Sequence, residues 1–132
     1  MKKALLMMAI AGTMVFAQEV RNLDRMKNMQ EMEHAMATIQ KGFLFNNLSV
    51  VKNGVKALKR TAGFTESFIK EGATTKSGIN TLLYAKNQTD SIKMMADEIE
   101  SAFAKGDRYA AANGYLLILS KCLSCHQTVR SW

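Results

Sequence analysis

Apolar residues recur along this chain at steps of three and four, the spacing that aligns side chains on one face of an α-helix. Val20, Leu23, Met26, Met29, Met32, Met36, Ile39 and Phe43 form one such stripe and predict a first helix. Leu44, Leu48, Val51, Val55, Leu58 and Ala62 restart in a second register, with Gly42 and Asn46-Asn47 at the break, and this second helix ends near Gly63. From Thr65 to Gly78 the periodicity is weak and two glycines intervene, which predicts a connection holding one helical turn. Ile79, Leu82, Leu83, Ile92, Met95, Ile99 and Phe103 predict a third helix. The polar run from Lys86 to Thr89 interrupts it, as a kink or as the true start. Gly106-Asp107 suits a stop and a restart, Gly as the C-terminal cap and Asp as the next N-cap. A fourth helix then carries Ala111, Tyr115, Leu116, Leu119, Cys122, His126 and Val129 almost to the end of the chain. Four helices of this length with mostly short connections predict an all-α fold, an antiparallel four-helix bundle.

Composition agrees with that reading. The 132 residues suffice for one domain, and 48% hydrophobic content is too high for a disordered chain. No proline, ten methionines and only 8% aromatics suit long helices better than strands and turns. The first seventeen residues read differently from the rest: Lys2 and Lys3 precede the apolar run Ala4 to Ala11, and Ala17 before Gln18 and Glu19 offers a cleavage point. That is the pattern of a secretory signal, too short in its apolar part to span a bilayer. The expected organisation is therefore a cleaved signal peptide, residues 1–17, and a single mature domain, residues 18–132. The mature domain is expected in a bacterial periplasm, without a membrane span. Formal net charge is +7, or +5 without Lys2 and Lys3. The cations are scattered among acids, and an exported chain meets little nucleic acid, so nucleic-acid binding is not expected.

The candidate chemistry lies in the fourth helix, where Cys122-Leu123-Ser124-Cys125-His126 spells the attachment sequence of a c-type haem. Two thiols one helical turn apart can each form a thioether to one of the two vinyl groups on one porphyrin edge, and the adjacent His126 can ligate the iron. These are the only two cysteines, and His126 is one of two histidines. Three other readings compete. A structural zinc site would need Cys122, Cys125, His126 and His34 to converge. A redox-active thiol pair would need a βαβ setting. A disulfide across one helical turn would be strained and would cross-link almost nothing.

With the haem motif at the C-terminal end of a predicted four-helix bundle, the chain resembles the cytochrome c prime family, and within it the low-spin, six-coordinate members. Arg25, followed by Met29, Met32, Met36 and Ile39, matches that family's first-helix pattern, and Gly106-Asp107 matches the turn before its last helix. Arg130, four residues after His126, matches the arginine that closes the family's haem motif, although Val129 replaces the aromatic residue usual before it. The resemblance implies an electron-transfer protein, not an enzyme, with covalent c-type haem at Cys122 and Cys125. It implies His126 as the proximal iron ligand and Met29 as the candidate distal ligand. Met26 and Met32 are weaker distal candidates, one turn away on either side. If Met29 is only core, the iron is five-coordinate and open to nitric oxide or carbon monoxide, and the protein binds or senses gas. Arg25 and Arg130 are candidate haem-contacting cations. His34 lies about 200° around the helix from Met32 and Met36 and is expected in solvent. The partners implied are redox proteins, which Lys52, Lys56, Lys59 and Lys70 could steer if those lysines are more than a solvated face, and a second copy of the chain.

Overall fold

A computed structural model describes the backbone of residues 2–70 and 72–130, and the side chains of those from 22 onward. The chain forms α1 (Lys2–Leu44), α2 (Leu48–Phe64), a 3₁₀ turn (Thr65–Phe68), α3 (Thr81–Ala104) and α4 (Arg108–Val129). Among the described residues no helix is long and apolar enough to cross a membrane. The side chains of the predicted signal segment and of Val20, and the cleavage point after Ala17, lie outside the described residues.

The starts of α2, α3 and α4 are each capped by a side chain that the local sequence supplies. Asn47, Asn80 and Asp107 accept the backbone N–H of Val50, Leu83 and Ala110 at 3.2, 2.9 and 2.9 Å, satisfying donors that a helix leaves open in its first turn. The turns between helices need left-handed backbone, which Asn46 (φ 49°) and Gly106 (φ 87°) provide. The predicted breaks at Asn46-Asn47 and Gly106-Asp107 and the single turn after Gly63 are therefore all present. Lys86 to Thr89 is neither a kink nor a start. The α3 helix runs through it, because Ala85 and Thr89 carry the buried stripe across and Thr89 donates its hydroxyl to Glu66 at 3.2 Å.

Contacts along the seams give the antiparallel order. Asn28 near the start of the described part of α1 meets Thr61 and Thr65 at the end of α2. Lys59 and Lys52 of α2 pair with Asp97 and Glu100 of α3, and Tyr84 of α3 meets Ser124 of α4. The core is Met32, Ala35, Met36, Ile39, Val51, Val55, Leu58, Ala62, Ile92, Ala96, Ile99, Phe103, Ala111 and Ile118. Several expected stripe positions fall outside it: Leu23, Met26, Leu44, Ile79, Leu83, Leu116 and Leu119 are exposed. In α4 the run Tyr115 to Leu119 is apolar on consecutive positions, so spacing alone could not choose its inward face. Packing on α3 chose Ile118.

The α1–α2 seam is closed at two points by glycines. A Cβ on Gly54 would lie 2.8 Å from the Ile39 nitrogen and 3.0 Å from the Ala35 carbonyl oxygen, and one on Gly42 would lie 2.7 Å from the Val51 nitrogen. The backbones of α1 and α2 therefore touch at both points. We expect Gly54→Ala to destabilise the protein by about 1–3 kcal/mol in urea unfolding, against alanine's better helix propensity, because the obstructing atoms are backbone. Gly63→Ala, where the new Cβ meets only a lysine methylene at 3.9 Å, should instead stabilise by up to about 1 kcal/mol.

Candidate functional site

The antiparallel order returns α4 alongside α1, and the two touch only sparingly. Their contact is made where Phe43 meets Tyr115 edge-on at 6.0 Å. Glu33 lies close enough to Tyr115 to help burial raise the phenol pKa, behind burial itself and Cys122. Tyr115 marks the side of α4 that looks at α1. At about 100° per residue, Leu119, Cys122 and His126 continue that side toward the C-terminus. On α1, Met29 and Met26 continue the side that Glu33 marks, toward the N-terminus. The two rows run along facing walls, but the walls do not meet: Met26 is 56% and Leu119 43% exposed, and Leu123 beside them is exposed as well. The seam is open and apolar, and it carries the Cys-X-X-Cys-His residues on one wall and Met29 on the other.

Within that seam Cys122 packs against the core cluster, and so does Met29 from the opposite wall. Cys122, Cys125 and His126 are all half-buried. Burial, with a smaller contribution from Cys125, pushes the Cys122 thiol up to about 11, and burial raises Cys125 as well. Both shifts run opposite to the depressed thiol of a redox-active cysteine pair. His126 is lowered, first by burial and then by the Arg130 guanidinium, so its ring is neutral at pH 7 and can offer a lone pair. Arg130 also closes the helix, its backbone N–H donating to the His126 carbonyl at 3.0 Å. Arg25 is exposed on α1, one turn before Met29.

His34 stands in solvent beside Glu33, 3.5 Å away, as its position on the helix predicts. Among the described residues no three of His, Cys, Asp and Glu gather to hold a metal ion, so the zinc arrangement through His34 does not form. The lysines named for steering divide. Lys52 and Lys59 are tied to Glu100 and Asp97 of α3, while Lys56 and Lys70 are exposed.

Sequence reasoning missed the residues that hold the two walls in place. Asn28, next to Met29, is buried and donates to the Thr61 carbonyl at 3.1 Å and the Thr65 hydroxyl at 3.4 Å. Thr65 in turn lies 3.7 Å from the Met32 sulfur. This cluster fixes the rotation of α1 about its axis, and with it the direction in which Met29 looks. Across the seam, the Tyr84 hydroxyl lies 2.6 Å from that of Ser124, between the two cysteines, and ties the motif to α3. Its clue in the sequence was a Ser inside the motif, while Asn28 sat one place outside the stripe of methionines. One turn along α3 from Tyr84, the Gln88 side-chain oxygen is buried with no hydrogen-bond partner among the described residues, an acceptor at this end that a donor would satisfy.

A cavity of about 460 Å³, lined by Phe43, Asn46, Phe103, Gly106, Arg108 and Ala112, lies at the other end of the bundle and has no part in this site. No family model, curated protein or solved structure matches the chain.

Two outcomes follow. In the unmodified folded protein, iodoacetamide should alkylate Cys122 at pH 8 at about a thousandth of its limiting rate, rising about tenfold per pH unit toward pH 11, with Cys125 the faster; peptide mass mapping of a time course reads both. Asn28→Leu, which removes the amide that donates to both the Thr61 carbonyl and the Thr65 hydroxyl, should lower stability by about 1–3 kcal/mol in urea unfolding.

Proposed function

We propose that this chain is an exported c-type cytochrome, a four-helix-bundle electron carrier of the kind seen in the cytochrome c prime family. What supports the reading is the open α1–α4 seam: the Cys122–His126 motif and Met29 share it with apolar side chains, Met26, Leu119 and Leu123, that the fold otherwise leaves in water. A flat apolar group seated there would cover them, and burying such surface contributes roughly 25 cal/mol per Å².

The donor set fits a covalent haem, which when bound supplies one-electron exchange between ferric and ferrous iron. Cys122 and Cys125 would hold it through two thioethers, each formed by addition of an Sγ–H across one vinyl group. His126, already neutral, would ligate the iron without first losing a proton. Met29, beside the Asn28 clamp, would offer its thioether sulfur as a second ligand, which would favour the reduced state and raise the potential. The apolar walls exclude water from the iron. Arg130 acts on the proximal side through His126, and Arg25 stands at the seam's mouth within reach of a carboxylate. Exposed Arg25, Lys27, Lys70 and Lys76 lie at this end, where they attract an acidic redox partner. Residues 1–17 are the export signal.

Optical spectra of the protein matured in a bacterial periplasm test the reading, together with its intact mass. The expected result is a mass one haem above the chain cut after Ala17, a low-spin spectrum, and a methionine-to-iron charge-transfer band that Met29→Ala abolishes. A high-spin spectrum that shifts with nitric oxide or carbon monoxide would reassign the site to gas binding. Absence of covalent haem would end the cytochrome reading altogether.

A further inference from the structure

At the end of the bundle opposite Cys122–His126, the α1–α2 and α3–α4 connections stand side by side. The Arg108 guanidinium locks them together. Its Nε donates to the Asn46 side-chain oxygen at 2.9 Å, its Nη1 donates to the Phe103 carbonyl at 2.6 Å, and its plane lies 4.0 Å from the Phe103 ring centre. Phe43 stacks on Phe103 at 5.3 Å underneath. This is a stiff platform, and three large side chains project from it: Leu44, Phe45 and Tyr109 are 78%, 72% and 91% exposed. None contributes to the core. Leaving that much apolar surface together on one tip has a cost in water and marks an interaction site.

Cations outnumber carboxylates around the tip, three to one. Lys41 sits on the last turn of α1, Lys105 caps the end of α3, and Arg108 begins α4. The carboxylate among them, Asp107, is committed to the Ala110 N–H at 2.9 Å. Side chains that project, an aromatic pair with an aliphatic neighbour, and a ring of long cations together match a lipid–water interface. There the rings enter the boundary of head group and acyl chain while the cations stay at the phosphates. The cavity of about 460 Å³ beside Arg108 opens on the same tip and leaves room for a head group.

From this we infer that the Leu44–Phe45–Tyr109 tip docks the protein on an anionic lipid surface, through three inserted side chains and the Lys41, Lys105 and Arg108 cations. The bundle then stands on the surface with Cys122–His126 about 20–27 Å away, 14 to 18 residues up α4 from Arg108 at about 1.5 Å each. The inference does not depend on what that far end binds.

Co-sedimentation with vesicles tests it. The full-length mature protein should pellet with vesicles of phosphatidylglycerol and phosphatidylcholine in equal parts, and stay in solution with phosphatidylcholine alone. Phe45→Ser and Tyr109→Ser should each weaken partitioning about tenfold, with unchanged helicity since both residues are exposed. Lys41→Glu with Lys105→Glu should weaken it further and flatten its salt dependence. A control, Lys27→Glu with Lys121→Glu at the other end, should bind as the parent does. The inference fails if the parent protein stays in solution with the anionic vesicles, or if the serine variants bind as tightly as the parent. It also fails if binding is lost in the control pair, which would make it general electrostatic attraction, or if Phe45→Ser converts a dimer to a monomer in lipid-free sedimentation, which would make the tip a contact between copies.

Discussion

Backbone contact at glycines sets how the four helices can approach one another. Gly42 and Gly54 let α1 and α2 touch main chain to main chain, and Gly114 leaves room on α4 for the Ile99 side chain of α3, 2.9 Å from where a Cβ would lie. Two tight pairs result, joined across α2 and α3 by Val55, Leu58, Ile92 and Ile99 and by the lysine–carboxylate pairs on the surface. Among the described residues no glycine of this sort stands between α1 and α4. Their seam is left to side chains, and the aromatic contact of Phe43 with Tyr115 holds it at one end. At the other end the walls part.

That asymmetry gives the molecule two ends of different character. One has an apolar cleft and, on one helix, two thiols and a neutral histidine, with half-buried Met29 on α1 packed against the same core cluster as Cys122. The other has stiff connections, stacked aromatics and a cation locked in place. The polar atoms inside the bundle belong to the first end. Asn28, Thr61 and Thr65 are buried next to Met29, where an apolar residue of similar size would pack without needing partners. A satisfied polar cluster of this kind is a device for fixing orientation more than for adding stability. Here it determines which way the wall of α1 faces.

Electrostatics follow the same division. Along α2 and α3 the charges pair with each other across the surface, Lys59 with Asp97 and Lys86 with Asp90, and at exposed sites such pairs contribute little to stability. At the motif end Arg25, Lys27, Lys70 and Lys76 are exposed. Burial acts on the motif itself, holding both thiols and the imidazole in their uncharged forms. Burial of this kind disfavours the thiolate that thiol chemistry would need.

Much of this could be read from the chain alone, because the signals are local. Helix periodicity, the Asn and Asp caps and the left-handed turns at Asn46 and Gly106 depend on neighbours a few residues away, and all appear where the sequence puts them. The Cys122–His126 spacing is local as well, since three residues on one helix need no partner to be adjacent. What the sequence could not decide was which side of an all-apolar segment turns inward. Leu116 and Leu119 carry the same hydrophobicity as Ile118, and only contact with α3 separates them. Nor could it show that Asn28 is a clamp, that Tyr84 reaches Ser124 forty positions away, or that Met26, Leu119 and Leu123 face an open seam. Those facts arise from the close approach of backbones at Gly42 and Gly54 and from Ile99 packing against Gly114, distance constraints between residues far apart in the chain that no periodicity encodes.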